Sequence, residues 1–373
     1  MSDKIKILLL SGYHAASHRY WCDQLVQGLT EFDWTQVSLP DRHFYWRIRS
    51  NALTFSSEHK ALLQQHYDLL VVTSMVDLCN LRGLMPHLSA VPAILYFHEN
   101  QFAYPERKPN GNLINAQLTC VYAALSATQL VFNSTFNRDS FYAGAETLFK
   151  GMPDGTNADL LAHLPTRSSV IPVPVKYDSV QETVGSKQSR AHRSPVEIVW
   201  NHRWEYDKQP EVFFSALKHL IDSGVSCKVH VMGQSFREVP ECFSQFQSSY
   251  HSTIETWGYQ PEEHYRRVLE QADIVVSSAL HDFQGLGMLE AIASGCTPVA
   301  PDRMAYPEYI PEPLLYSIGA GVEQEALNLS AALRSVIEHD IRADIEVDRY
   351  LTDQVLPRYR SLFNALVAGA SDS

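Results

Sequence analysis

Several features are scarce in this sequence, and each scarcity excludes a class of protein. No apolar run approaches the roughly 20 residues that cross a bilayer, and Met1 leads through charged residues into a strand without a secretory pattern. A cytoplasmic protein without membrane contact is therefore expected. The six cysteines (Cys22, Cys79, Cys120, Cys227, Cys242 and Cys296) contain no Cys-x-x-Cys pair, which argues against a disulfide frame or a zinc cluster. Positive charge is in deficit: 30 Lys and Arg against 42 Asp and Glu give a net charge of −12, which speaks against broad, nonspecific binding to nucleic acid but allows a local basic patch. The dinucleotide fingerprint is missing too. Gly12 follows the first strand, but the second and third glycines are not there, so no NAD site is read.

What is present is 45% hydrophobic and 19% charged residues over 373 positions, ordinary for a globular protein and enough chain for two cores. Short apolar strands are read at 5–10, 68–73, 93–97 and 129–132, and again at 196–200, 227–232, 254–257 and 273–277, with helices between them. The fold class read from this alternation is α/β, with two doubly wound, Rossmann-like domains. Expected boundaries are a first domain at 1–176, a Ser-, Gln-, Lys- and Arg-rich linker at 177–195, a second domain at 196–350, and a C-terminal helix, 353–367, within 351–373.

The most informative stretch is His281-Asp-Phe-Gln-Gly-Leu-Gly-Met-Leu-Glu290, ahead of a small-residue helix that Gly295 stops. Gly285 and Gly287 let a backbone come close to a ligand, and the helix opening at Leu286 directs its free N–H groups at an anion. Asp282 and Glu290, eight positions apart, can face one crevice and hold sugar hydroxyls. Arg203 and Lys208 stand five apart between the strand 196–200 and a helix, so two cations and a helix N-terminus can converge on one diphosphate. The Gly233 loop follows the next strand.

In the first domain, His14, His18 and Arg19 lie in or just past the first strand-to-helix loop, with Ser17 expected as the N-cap. The two histidines have a metal-like spacing, but no third ligand stands nearby, and hydrogen bonding to sugar or phosphate is the reading adopted. His98, Glu99 and Asn100 follow the strand 93–97, where α/β sheets place chemistry, and Asn133 stands at the next strand end, one residue before the capping Ser134. The connecting segment Asp41-Arg-His-Phe-Tyr-Trp-Arg-Ile-Arg49 interleaves guanidinium groups with aromatic rings, the chemistry of stacking on unpaired bases and gripping phosphates. Arg107 and Lys108 add a second small basic cluster.

The acid, seven residues, acid motif at 282–290 and the Arg-x4-Lys pair at 203–208 resemble the retaining family 4 glycosyltransferases of the GT-B fold, in which two Rossmann-like domains face a central cleft and the last helix, here within 351–373, is expected to cross back toward the first domain. In that family both acids are usually Glu and a Gly precedes the Arg; here Asp282 and His202 take those places. A narrower resemblance rests on His14 and His18 with Trp21, Trp46-Arg-x-Arg49, Phe97-His-Glu-Asn-Gln101 with Tyr104-Pro, Phe132-Asn-Ser-Thr-Phe-Asn137, Asn201-His-Arg-Trp-Glu-x-Asp-Lys208, and Tyr306-Pro-Glu308. These strings are similar to those of the tRNA-queuosine α-mannosyltransferases.

That resemblance implies transfer of mannose from GDP-mannose to queuosine at the wobble position of aspartate tRNA, with retained configuration and neither metal nor further cofactor. It implies a donor site of Gly12, Arg203, Lys208, Gly233, Asp282, Gly285, Leu286, Gly287 and Glu290. His98, Arg203, Lys208 and Asp282 would act on the reacting centre, and His14, His18, Arg19, Trp46, Arg47, Arg49, Glu99, Asn100 and Asn133 would border the acceptor. Two other readings fit the same residues: a family 4 enzyme with another sugar nucleotide and a small-molecule or glycan acceptor, and a catalytically silent GT-B protein that binds tRNA. Nothing in the sequence bears on oligomeric state.

Overall fold

The computed structural model describes residues 4–103, 113–153, 158–177, 194–235, 238–342 and 345–371. The chain divides into two compact units, Met1–Pro174 with Thr352–Ser373, and Val175–Leu351. Most of the expected linker (178–193), the Tyr104-Pro pair, and Arg107 and Lys108 lie outside the described residues.

The first unit is built on strands β1 (Lys6–Ser11), β2 (Asp33–Ser38), β3 (Leu69–Thr73), β4 (Ala93–Phe97), β5 (Gln129–Phe132) and β6 (Ser168–Val170). They pair in parallel in the order β2-β1-β3-β4-β5-β6. Both β3 and β4 are buried at every position, which is why they read as unbroken apolar runs. The edge strand β2, Asp-Trp-Thr-Gln-Val-Ser, has one buried residue and no such run, and sequence reading misses it.

The helix Thr352–Ser371 belongs to this first unit. Trp21 Nε1 donates to the Tyr359 hydroxyl at 2.9 Å, and that hydroxyl donates to the carbonyls of Ile171 and Pro172 at 3.3 and 3.2 Å. Trp21 also stacks on Tyr96 at 4.2 Å, and Phe363 packs edge-on to Phe32 at 5.6 Å. A Cβ on Gly28 would lie 2.3 Å from Leu356 Cδ1, so this helix packs closely on the end of Ala16–Gly28.

The second unit contains β7 (Val196–Trp200), β8 (Cys227–Met232), β9 (Ile254–Gly258), β10 (Ile274–Val276), β11 (Thr297–Pro301) and β12 (Leu315–Tyr316). All are parallel, in the order β12-β11-β10-β7-β8-β9. Strand order reverses at β7, so the loops leaving β7 and β10 emerge side by side, at the point where open α/β sheets bind ligands.

Two local expectations are corrected. The helix Ala16–Gly28 begins one residue before Ser17, after an extended Ala15, and no side chain caps it. The Arg- and aromatic-rich segment is a helix rather than a loop: Phe44–Glu58 follows His43 in a left-handed conformation (φ 54°) and buries Ile48, Asn51, Ala52 and Phe55 along one face. Among the described residues no helix is long and apolar enough to cross a membrane.

Candidate active site

The loops after β7 and β10 are tied to each other by their backbones. Leu280 N–H donates to the Asp207 carbonyl at 2.8 Å, and Ser278 Oγ donates to the Lys208 carbonyl at 2.8 Å. Lys208, only 7% exposed, sends its ammonium to the His281 carbonyl at 2.6 Å and lies 3.5 Å from both Asp207 Oδ2 and Asp282 Oδ2. Arg203 Nη2 is 3.7 Å from the same Asp207 oxygen, while its Nη1 pairs with Glu205. The two cations that the sequence places five apart therefore meet at one carboxylate oxygen.

Gly285 ends the second loop at φ 78°, and a Cβ there would lie 2.5 Å from the Tyr309 hydroxyl and 3.0 Å from Tyr306 Cε1. Only glycine fits this turn. It opens the helix Leu286–Ala293, whose first amides, those of Leu286, Gly287 and Met288, have no acceptor one turn back within the helix. Gly287 sits against Asn201, with a Cβ position 3.1 Å from Nδ2. Gly233 has a tighter reason for its identity: a Cβ would fall 1.8 Å from the His202 carbonyl oxygen, where the loops after β7 and β8 touch.

A tyrosine hydroxyl holds each acid of the motif. Tyr306 Oη donates to Asp282 Oδ2 at 2.9 Å and exchanges a 2.7 Å hydrogen bond with Ser277 Oγ. The tyrosine and Lys208 together fix the Asp282 carboxylate in place. Burial pushes the Asp282 carboxyl up, but Lys208, His202 and the Tyr306 hydrogen bond hold it below its ordinary value. Tyr265 Oη donates to Glu290 Oε2 at 2.8 Å, and Asn201 Nδ2 donates both to Tyr265 Oη at 2.9 Å and to the Gly287 carbonyl at 2.8 Å. Burial raises the pKa of Glu290 against the lowering effect of that tyrosine. Two cations beside a glycine turn and a helix start can hold a diphosphate, and two fixed carboxylates can accept from hydroxyls.

In the first unit, Gly12 N–H donates to Thr73 Oγ1 at 3.3 Å, and a Cβ would meet the Met75 carbonyl at 3.0 Å, so it packs the β1 and β3 loops together. The His18 and His98 rings stack at 4.1 Å, and His18 Nε2 faces Glu99 Oε2 at 3.2 Å. Burial, then the neighbouring His18 and His14, hold the His98 pKa well below its ordinary value, so its imidazole is neutral near pH 7. His14 is half-buried beside this pair and Arg19 is exposed. Trp46 is 79% exposed on the helix Phe44–Glu58, Arg47 is half-buried, and Arg49 donates to Thr119 Oγ1 at 3.0 Å and lies 3.4 Å from Asp77 Oδ2.

Asn100 and Asn133, at the ends of β4 and β5, take part in an internal amide network. Asn100 Nδ2 donates to the Asn137 carbonyl, Asn137 Oδ1 and Ser140 Oγ, while its Oδ1 accepts from the amides of Phe102 and Ala103. Asn133 Nδ2 donates to the His98 carbonyl at 2.8 Å, and its Oδ1 accepts from Asn137 at 2.7 Å. Both are buried, and this amide network fixes the loops after β4 and β5.

Sequence reasoning does not single out Asp207, Tyr265, Tyr306 and Asn201 as site residues. The first shares a motif string with Arg203 and Lys208, and Tyr306 heads Tyr-Pro-Glu308, so a signal exists for both. Tyr265, inside the helix Glu262–Gln271, has none.

Comparison with known proteins agrees with this architecture. Residues 6–175 match the family described as tRNA-queuosine alpha-mannosyltransferase N-terminal, and residues 196–338 match glycosyl transferases group 1. Among solved structures, sucrose-phosphate synthase from Thermosynechococcus elongatus superposes with a TM-score of 0.63 at 13% identity, over 99% of this chain and 98% of that one. HepE of Anabaena, solved with UDP and glucose, gives 0.62 at 12% identity over 97% and 100%. These likenesses show the two-domain GT-B fold. The tRNA-queuosine alpha-mannosyltransferase of Drosophila melanogaster is 30% identical over 372 residues, 98% of each chain. A kinship of that extent, with the N-terminal match beside it, places the chain in the tRNA-queuosine α-mannosyltransferase family, as a glycosyltransferase of that type.

Proposed function

We propose that this protein transfers mannose from GDP-mannose to queuosine at the wobble position of aspartate tRNA, in the cytoplasm and with retained configuration. The observation that carries the reading is the full-length kinship with the Drosophila tRNA-queuosine alpha-mannosyltransferase. In the transfer, the bond from the sugar's anomeric carbon to the diphosphate breaks, a queuosine hydroxyl oxygen bonds to that carbon, and the hydroxyl proton leaves with the diphosphate. Arg203, Lys208 and the amides after Gly285 neutralise the charge that develops on the leaving group. Glu290 takes the ribose hydroxyls, Asp282 and the Gly285-Leu-Gly287 backbone take the sugar, and Gly233 and Gly12 border the donor. His98 contacts the sugar as a neutral imidazole. Because cations and helix amides carry the diphosphate charge, the reading requires no metal.

On the acceptor side the reading has His14, His18, Arg19, Trp46, Arg47, Arg49, Glu99, Asn100 and Asn133. The test is release of GDP from GDP-mannose, in chelator, with tRNA from cells that make queuosine and from cells that do not. Release only with the first tRNA is expected. Release with neither tRNA from GDP-mannose or other common sugar nucleotides overturns the reading, and equal release with both overturns queuosine as the acceptor.

A further inference from the structure

Glu205 lies between β7 and the short helical turn Tyr206–Lys208, in the loop that carries both cations of the site. Its backbone is extended (φ −129°, ψ 157°), its side chain is 30% exposed, and its Oε2 pairs with Arg203 Nη1. Arg203 has a side chain 46% exposed, and its Nη2 reaches Asp207 Oδ2 at 3.7 Å. The ion pairs of the loops after β7 and β10 thus set two cations, Arg203 and Lys208, against three carboxylates, those of Glu205, Asp207 and Asp282.

A diphosphate brings further negative charge to that balance, so its arrival is most favourable if a carboxylate gives way. The three differ in how firmly they are held. Asp207 has a side chain 5% exposed and within reach of both cations, and its carbonyl accepts from Leu280 N–H. Asp282 is fixed by the Tyr306 hydroxyl at 2.9 Å and by Lys208 at 3.5 Å. Glu205 is the most exposed of the three, and among the described residues Arg203 alone pairs with its carboxylate. An ion pair this open to water contributes little, because solvent screens it and long side chains lose freedom in it. Partial burial raises the Glu205 pKa more than Arg203 lowers it, and Asp207 adds to the rise, so the carboxylate is poorly compensated where it stands. A diphosphate, with more charge and oxygens that match a guanidinium fork, is the stronger partner for Arg203.

We propose that Glu205 is a built-in competitor of the diphosphate for Arg203: its carboxylate yields the guanidinium when the sugar nucleotide arrives and reclaims it as the nucleoside diphosphate product leaves. The competition weakens product binding and speeds release, at a site whose cations would otherwise retain a charged leaving group. The proposal rests on the nucleotide-sugar reading of the site given above.

The test measures GDP affinity by calorimetry and GDP dissociation by stopped flow in the wild type, Glu205→Gln and Glu205→Ala. Glutamine keeps the shape and removes the charge, whereas alanine removes both. Each variant should bind GDP about threefold to tenfold more tightly and release it more slowly by a similar factor, the range for a partly exposed charge pair. If one variant does not fold, the other decides, and failure of both overturns the proposal by making Glu205 a structural brace. Unchanged or weaker GDP binding in a folded variant also overturns it, because Glu205 then supports Arg203 or contacts the nucleotide itself. Tighter binding in Glu205→Gln that Glu205→Ala does not share has the same force, since the new amide rather than the lost charge is then responsible. A wild type that prefers UDP or ADP to GDP is tested with that nucleotide in the same way. If the wild type binds no nucleoside diphosphate, the nucleotide-sugar reading fails first and takes the proposal with it.

Discussion

Asp207 Oδ2 is the oxygen at which Arg203 and Lys208 meet, and the pair is thereby held ready for an anion with more charge than one carboxylate. If Arg203 stabilises the departing diphosphate, Arg203→Ala lowers kcat by about two to three orders of magnitude, equivalent to about 2.7 to 4 kcal/mol. Steady-state kinetics read this directly, and a near-normal rate removes Arg203 from the reacting centre. The Tyr306 hydroxyl makes a different prediction. It is one of the groups that lower the Asp282 pKa, so Tyr306→Phe raises that pKa, and the carboxylate is lost at a higher pH as acid is added. The acid limb of kcat/KM should therefore move to higher pH. A limb that stays in place means that Asp282 is not the group titrating there.

These residues are unequally legible in the sequence. Arg203, Lys208, Asp282 and Glu290 stand out because charged residues after buried strands and beside a glycine turn have few other reasons to be there. Tyr265 does not stand out, since an aromatic in an amphipathic helix reads as core, and its hydroxyl meets Glu290 only through the pairing of distant segments. Asn100 and Asn133 stand out as polar residues at strand ends, but the hydrogen bonds by which they brace the loops after β4 and β5 have no signal in the sequence.

At the scale of elements, β3, β4 and β7 are legible as apolar runs because helices and neighbouring strands enclose them. The edge strand β2 and the two-residue β12 give no such run. The segment around Trp46 shows how composition can hide periodicity. Its arginines and aromatics suggest a connection, yet Ile48, Asn51, Ala52 and Phe55 recur at helical spacing and bury one face. Trp46 is left on the outside, where an unpaired base can stack on it. Trp46→Ala should weaken tRNA binding by roughly 1 to 3 kcal/mol while leaving the melting temperature unchanged. Filter binding and a thermal melt measure the two quantities, and unaltered tRNA affinity dismisses this helix as an acceptor surface.

For the whole molecule, the consequential feature is that the last helix, Thr352–Ser371, completes the core of the first unit although the second unit intervenes in sequence. Tyr359 and Phe363 are fully buried there, against Trp21, Tyr96 and Phe32. Deleting 352–373 exposes these aromatics, so the first unit should melt at a lower temperature or fail to fold, as read by calorimetry. A melt like that of the intact chain shows the helix to be dispensable. The amphipathic pattern of this helix is legible in the residues, whereas its return to the first unit is expected only from the GT-B resemblance, because it depends on contacts more than 300 positions away, such as Trp21 with Tyr359.

The proposed transfer of mannose to queuosine is tested most directly by nucleoside mass spectrometry. The purified protein is incubated with GDP-mannose and total tRNA from cells with and without queuosine, and the tRNA is then digested to nucleosides, which are weighed. A single hexose appearing on queuosine, on no other nucleoside, and only with the queuosine-containing tRNA is the predicted result. A hexose on no nucleoside, whichever common sugar nucleotide is supplied, contradicts the account.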